Sequence, residues 1–226
     1  MILRWLICFS SLIVCAFATT VHGRASLAPS RGESEGTVVW LEPVPGPAPR
    51  PQPLRATMLQ KSKTFTPHVL AIPVGATVDF PNRDPIFHNA FSNFSGQIFD
   101  IGLYRPGSSK SVAFNRPGVV RIFCNIHSAM SAIIVVLDTP WFALTPASGA
   151  FSIPAVPPGE YTLHVFHERA TPQALLQLER RVLVAGDNLD LGELSIPVSG
   201  YLPLPHKNKY GRDYPPATGA YSPTAP

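Results

Sequence analysis

The sequence predicts an all-β protein built from two β-sandwiches. Short apolar runs, several with strand-like alternation, are separated by turn residues at intervals of about ten residues. The chain contains 26 prolines, a residue type that ends helices and borders strands. No long run has the period of about 3.6 residues that an amphipathic helix requires. Short strands with this spacing are typical of antiparallel β-sandwiches.

We expect five segments along the chain. Residues 1–18 are predicted to be a signal peptide, with a cleavage point that could lie a few residues later, and residues 19–36 a loose N-terminal segment. Residues 37–138 are predicted to form the first sandwich, and residues 139–198 a second, smaller one. Residues 199–226 are rich in Tyr, Pro and Lys with little to bury, so we expect an extended or disordered tail.

The N-terminus has the features of a secretory signal peptide. Arg4 precedes an apolar run from Trp5 to Ala18, and Ala16-Phe17-Ala18 fits a small-x-small cleavage signal. The run is shorter than the roughly 20 apolar residues that a membrane-spanning helix needs, which favours cleavage over a membrane anchor. We therefore expect an exported, periplasmic protein without a membrane span after cleavage.

Apolar and alternating runs predict the individual strands. In the first sandwich they lie at residues 37–41, 56–60, 69–72, 77–80, 111–114, 119–123 and 132–137. In the second they lie at residues 161–165, 181–184 and 189–196. The run at 132–137 is apolar throughout, so it is expected at the centre of its sheet.

Charge and motifs exclude several classes of function. The net charge of +4 is spread along the chain rather than gathered into basic blocks, so we expect no nucleic-acid partner. The Ser and Asp residues near histidines show no nucleophile motif such as Gly-x-Ser-x-Gly. No His-x-His pair is present either, so the trinuclear cluster of a multicopper oxidase is missing. We therefore expect a protein that is not an enzyme.

A seven-residue stretch between two predicted strands carries the main chemical signal. It runs from Cys124 to Met130 with His127 between them, and it offers a thiolate, an imidazole and a thioether. His88 supplies a second imidazole upstream. Cys124 is the one cysteine left after signal cleavage, so it cannot form an internal disulfide. Two imidazoles, one thiolate and a weak sulfur ligand are the donors of a blue-copper electron-transfer site.

Each of these residues also has a structural interpretation. Cys124 alone fits a small buried core residue, and Met130 alone fits a core filler. His88 alone fits a hydrogen-bonded loop histidine. The joint order His…Cys-x-x-His-x-x-Met favours metal ligation, and structural zinc is a poorer match because methionine is not one of its ligands. His68 is left open, as either a neighbour of the site or a strand cap.

Residues 64–137 resemble the cupredoxin family. The Cys-x-x-His-x-x-Met spacing is similar to the ligand loop of amicyanin. The pair His88-Asn89 is similar to the His-Asn of plastocyanin-like proteins, in which the asparagine ties the two ligand loops together. The resemblance implies a Greek-key β-sandwich with one type 1 copper. It also implies the ligand set: equatorial His88, Cys124 and His127, with axial Met130.

Residues 139–197 resemble the carboxypeptidase regulatory-like β-sandwich of transthyretin type. The segments that carry this likeness are Gly149–Ile153 and Val156–Leu163. The likeness implies a module without catalytic residues that serves as a scaffold or contacts a partner. The two parts together resemble exported plastocyanin-like proteins, some of which are labelled methylamine utilisation proteins.

The function expected from the sequence is electron carriage. A periplasmic type 1 copper protein would pass single electrons between redox partners, such as a cytochrome or a dehydrogenase, through the edge of His127. Two alternatives stay open at this point. One is a copper-binding module for delivery, storage or sensing without redox turnover, and the other is a metal-free β-scaffold for protein binding.

Overall fold

The computed structural model describes residues 19–29, 34–93, 96–199 and 206–215. The predicted signal peptide, residues 1–18, lies outside the described residues. Within them the prediction of an all-β chain is confirmed. The strands are β1 (Thr19–Ala28), β2 (Val38–Val44), β3 (Arg55–Thr57), β4 (Leu59–Lys61), β5 (Thr64–Thr66), β6 (Val69–Pro73), β7 (Ala76–Pro81), β8 (Phe91–Ser92), β9 (Phe99–Asp100), β10 (Ser109–Phe114), β11 (Gly118–Phe123), β12 (Ser131–Leu137), β13 (Phe142–Leu144), β14 (Ala150–Val156), β15 (Gly159–Phe166), β16 (Arg180–Val184) and β17 (Leu189–Pro197). A short helix, α1 (Pro172–Leu178), lies between β15 and β16.

The first sandwich has one sheet in the order β6-β12-β11-β8-β9 and a second in the order β10-β7-β3. Alternate residues of β7, namely Ala76, Val78 and Phe80, are buried in the same core as Ile134 and Val136 of β12. This alternation is the period-2 pattern that the sequence shows for residues 77–80. The apolar strand β12 pairs with β6 on one side and β11 on the other, so its predicted central position is confirmed.

The second sandwich has sheets in the orders β14-β1-β17 and β13-β2-β15-β16. Its core is a separate cluster of buried side chains to which both sheets contribute, including Leu27, Leu41, Ile153, Leu163 and Ile196. The predicted strands at 161–165, 181–184 and 189–196 all belong to it.

The prediction of a loose segment at residues 19–36 is wrong for its first ten residues. They form β1, which pairs antiparallel with β14 and parallel with β17. Val21 and Leu27 are buried in the second core, but Gly23 between them breaks the apolar alternation. A Cβ at Gly23 would lie 2.8 Å from Cζ of Phe151, so the residue is small because a ring occupies its place. A packing requirement of this kind cannot be read from one strand alone.

The prediction that the first sandwich begins at residue 37 is also wrong. Strand β2 pairs with β13 and β15, so it belongs to the second sandwich. The second sandwich is therefore formed by both ends of the chain, and the first sandwich is inserted between β2 and β13. Periodicity indicates that β2 is a strand, but it does not indicate which distant strand it pairs with.

A third cluster of buried side chains joins the two sandwiches. Ile133, Val135 and Leu137, on the outer face of β12, pack with Val38 of β2 and Phe166 of β15. Strand β12 is thus buried on both faces.

Helix α1 was not predicted from the sequence. It begins with Pro172 after Thr171, whose side chain accepts a hydrogen bond from the backbone N–H of Ala174. Seven residues are too few to show a helical period. Among the described residues, no helix has the length and apolar character needed to cross a membrane.

The position of β1 in the second core gives a stability prediction. Leu27 is 1% exposed, so Leu27→Ala should lower the free energy of unfolding by about 2–5 kcal/mol through lost burial and a residual cavity. Urea unfolding of the purified protein measures this change. Leu183→Ala, at a side chain that is 69% exposed, is the control and should change stability by no more than about 0.5 kcal/mol. Equal stability of the two variants would mean that β1 does not contribute to the core.

Candidate metal centre

The ligand-bearing residues lie in two loops at one end of the first sandwich. His88 follows β7, and its backbone is fixed by two hydrogen bonds with the backbone of Tyr104. Cys124 follows β11 directly, and Met130 immediately precedes β12. The loop between them is closed because the N–H of Cys124 donates to the carbonyl of Met130 and the N–H of Met130 donates to that of His127. Paired strands therefore hold this loop at both ends.

Three predicted ligand atoms converge. Sγ of Cys124 lies 3.5 Å from Nδ1 of His127 and 3.8 Å from Nδ1 of His88. All three donor atoms lie within 4.8 Å of one another. A nitrogen at about 2.0 Å and a sulfur at about 2.3 Å from one metal ion, at trigonal to tetrahedral angles, would be separated by about 3.5–3.7 Å. The spacing therefore fits ligation of a single ion.

The fourth predicted ligand, Met130, is buried with the cysteine. Met130 is 1% exposed and belongs to the same core cluster as Cys124, and its backbone closes the ligand loop. His88 and Cys124 are fully buried, whereas His127 is half-buried. The donor set of two imidazoles, one thiol and a neighbouring thioether suits copper better than zinc.

A carboxylate fixes the orientation of the His88 ring. Nε2 of His88 lies 2.7 Å from Oδ2 of Asp84, and both side chains are at least nine-tenths buried. The backbone N–H groups of Ser62 and Lys63, both at positive φ, donate to the two carboxylate oxygens at 2.6 and 2.8 Å. A proton held on Nε2 by Asp84 leaves the lone pair of Nδ1 facing Cys124, which is the tautomer that a metal ligand needs.

Burial sets the protonation of the donors in the metal-free protein. Burial lowers the pKa of His88, and it lowers the pKa of His127 to about 4. Burial also raises the pKa of the Cys124 thiol. The pKa of Asp84 is lowered, since hydrogen bonds from Lys63, His88 and Ser62 outweigh the effect of its own burial. At neutral pH the imidazoles are thus ready to bind, and metal binding must release the thiol proton.

Two asparagines and an aspartate tie the ligand loops together. The N–H of Asn125 donates to Oδ1 of Asn89 at 3.1 Å, which agrees with the tie that the family resemblance implies. Nδ2 of Asn89 donates to Oδ1 of Asp100 at 2.7 Å. Asn89 follows His88 in the chain, and Asn125 follows Cys124. The bond between Asn125 and Asn89 therefore fixes the distance between the two segments that carry the candidate ligands.

The described part of the tail contradicts the prediction of an extended or disordered segment. The backbone N–H of Lys209 donates to Oδ1 of Asn125 at 3.0 Å, and its Nζ lies 2.8 Å from Oδ2 of Asp100. Residues 206–215 therefore pack on the ligand loop. The low apolar content of the tail does not predict whether it docks, because polar groups and ring faces make these contacts. Residues 200–205 and 216–226 lie outside the described residues.

The open question on His68 has a structural answer. Its Nε2 lies 2.8 Å from Glu168, and its Nδ1 lies 3.2 Å from the carbonyl of Ser131. His68 therefore links the first sandwich to the second and is not part of the donor cluster.

Sequence reasoning missed the roles of Asp84 and Lys209. A carboxylate four residues before a candidate histidine ligand is a signal that could have identified Asp84. No local signal identifies Lys209, because it lies 84 residues after the asparagine that it contacts.

Replacement of Asp84 should weaken metal binding. In Asp84→Asn the amide N–H₂ would face the N–H of either Ser62 or Lys63, and two donors cannot bond to each other. The side chain therefore loses one of these hydrogen bonds as well as its charge. Loss of such an outer carboxylate typically costs about 10- to 100-fold in metal affinity. A competition titration with a copper chelator measures the change. The exposed Asp138→Asn is the matched control, and an affinity equal to the control would refute the role given to Asp84.

The half-buried His127 should make the metal-free protein sensitive to acid. Its folded pKa of about 4 lies below the unfolded value of about 6.5, so between these values the unfolded chain binds a proton that the folded chain does not. Stability should therefore fall as the pH is lowered from about 6.5 to about 4. Urea unfolding at several pH values measures the slope, which should be smaller in His127→Gln. An unchanged slope in that variant would contradict the assignment.

Comparison with known proteins gives likeness to solved structures alone. No family model and no curated protein matches the chain. The copper-containing nitrite reductase of Thermus scotoductus is 31% identical over 42% of this chain, with a TM-score of 0.35, and the match spans 25% of that enzyme. A purple cupredoxin of Nitrosopumilus maritimus is 24% identical over 36% of this chain and 99% of its own, with a TM-score of 0.34. A point mutant of amicyanin in its reduced form is 20% identical over 37% of this chain and 82% of its own, with a TM-score of 0.35. TM-scores this low do not establish a family, so the assignment of the centre depends on its geometry.

Proposed function

We propose that this protein is a periplasmic type 1 copper protein that carries single electrons between redox partners and is not an enzyme. The observation that carries the proposal is the convergence of Nδ1 of His88, Nδ1 of His127 and Sγ of Cys124. With Met130 beside them, these donors form the set that copper accepts in both of its oxidation states. Bound copper would supply the one-electron exchange between the cuprous and cupric states.

The protein's own contribution is a donor set that does not need to rearrange. Asp84 holds the His88 ring, and the bond between Asn125 and Asn89 holds the two ligand segments at a fixed separation. The backbone hydrogen bond from Cys124 to Met130 closes the loop. A rigid set of ligands held by a second layer of contacts keeps the geometry similar when the charge of the ion changes.

Electrons are proposed to enter and leave at His127. It is half-buried, whereas the other three proposed ligands are buried. Ser128 and Ala129, which follow it, are exposed and small, so a partner could approach the imidazole edge. The partner is proposed to be a cytochrome or a dehydrogenase that forms a small, transient interface.

The second sandwich is proposed to act as a carboxypeptidase regulatory-like scaffold or partner-contact module. It encloses its own core, and it supports the outer face of β12 through Val38 and Phe166. Export through an N-terminal signal peptide is part of the same proposal. A lone thiol is compatible with the oxidising periplasm if bound copper protects Cys124 from oxidation.

Addition of cupric ion to the purified mature protein tests the proposal. One equivalent should produce an intense blue thiolate-to-copper absorption band that disappears with a reductant and returns with an oxidant. Cys124→Ser should remove the band and leave the fold unchanged by circular dichroism. Exposed Ser128→Ala is the control and should keep the band.

Other results would support other functions. Tight binding of cuprous ion without colour would favour delivery, storage or sensing over electron carriage. Absence of stoichiometric binding would leave a metal-free scaffold, and a band that persists in Cys124→Ser would refute the ligand assignment.

A further inference from the structure

We propose that residues 206–215 form a strap that positions the ligand loop, residues 124–130, from outside the first sandwich. Its effect on copper rests on the proposed function, whereas its effect on the loop can be measured without metal. The strap approaches the loop from a distant part of the chain, and it makes contacts at the neighbours of two proposed ligands.

The first contact closes a ring of hydrogen bonds. Asn125 bonds to Asn89, Asn89 to Asp100, Asp100 to the Nζ of Lys209, and the backbone N–H of Lys209 returns to Asn125. The distances are 3.1, 2.7, 2.8 and 3.0 Å. The hydrogen bond to Asp100, together with the opposite charge of that carboxylate, raises the pKa of Lys209, so the ammonium stays charged. Without the ammonium of Lys209 the ring would be open at Asp100.

The second contact is made to the backbone of the cysteine ligand itself. The hydroxyl of Tyr214 donates to the carbonyl oxygen of Cys124 at 2.8 Å, in a partly buried position. This carbonyl belongs to the peptide that joins Cys124 to Asn125. The peptide is therefore held at its oxygen by Tyr214 and at its N–H by Asn89.

The third contact places a ring on the strand before the cysteine. The imidazole of His206 stacks on Phe123 with centroids 4.0 Å apart and planes inclined by 27°. Nε2 of His206 lies 2.8 Å from the carbonyl of Ser128 and can donate to it. The strap thus contacts the residues on both sides of Cys124 and the residue that follows His127.

The strap has internal structure that lowers the entropic cost of its docking. Oδ1 of Asn208 accepts from the N–H groups of Tyr210 and Arg212, and the backbones of Asn208 and Arg212 are also bonded. Lys207 pairs with Asp213 within the strap. A segment that is already turned loses less conformational freedom when it binds than an extended tail would.

These contacts assign a positioning role to Lys209, Tyr214 and His206. None of them supplies a donor atom to the cluster. Each restricts a group that is covalently joined to a proposed ligand. The strap should therefore slow the loop motions through which a bound ion leaves.

A double variant of the full mature chain tests this role. Lys209→Met with Tyr214→Phe removes the ammonium that bonds to Asp100 and the hydroxyl that bonds to the carbonyl of Cys124, and it keeps the backbone N–H of Lys209. Lys61→Met with Tyr210→Phe makes the same chemical changes at an exposed lysine outside the strap and an exposed tyrosine within it, and it is the matched control. Transfer of cuprous ion to a chelator should be about tenfold faster in the first variant, as expected for loss of outer contacts of a metal site. The control should release copper at the rate of the parent protein.

A second measurement uses the metal-free protein. Hydrogen exchange of the peptide that covers residues 123–130 should be faster in the first double variant than in the control. Lys209→Arg with native Tyr214 should restore slow exchange and slow release, because it keeps the cation beside Asp100. Parental rates of exchange and copper release in the Lys209→Met/Tyr214→Phe variant would overturn the strap proposal and leave the proposed function intact. Faster exchange in a protein that binds no copper would support the strap and refute the proposed function.

Discussion

The burial of β12 on both faces is the constraint on which the rest of the structure depends. One face, with Ile134 and Val136, fills the core of the first sandwich, and the other face, with Ile133 and Val135, packs against the second. A strand in this position cannot shift by one residue without exchanging its two faces. The segment that ends at Met130 enters this strand directly, so the packing of the whole molecule fixes one end of the ligand loop.

The candidate metal centre depends on a different balance, between burial and charge. The buried thiol of Cys124, the buried imidazole of His88 and the half-buried imidazole of His127 are neutral because each would lose solvation on ionising. Asp84 is the charged group beside them, and backbone N–H groups from Ser62 and Lys63 compensate its charge. The arrangement directs both Nδ1 atoms toward Cys124 and leaves the thiol to be ionised by a metal ion.

Segments before and after the first sandwich in the chain support the ligand loop. Strands β1 and β2 join β13–β17 to build the second sandwich, which supports the outer face of β12. Beyond β17, residues 206–215 contact Cys124 and Asn125, at the start of the ligand loop, whereas β12 follows the end of that loop. The ligand loop is thus held by its flanking strands β11 and β12, by the second sandwich, which packs on β12, and by residues 206–215.

The sequence by itself determined the all-β class, the positions of most strands in the first sandwich and the candidate donor residues, because these depend on local alternation and on residue type and spacing. Only the tertiary structure decided that β1 and β2 belong to the second sandwich, that Asp84 orients His88, and that Lys209 reaches Asn125. Each of these is a specific contact in the folded chain, and the local sequence of each segment is compatible with many other partners. A period-2 pattern specifies a strand and a buried face but not its neighbour, and a polar tail shows no period that reveals a docking surface.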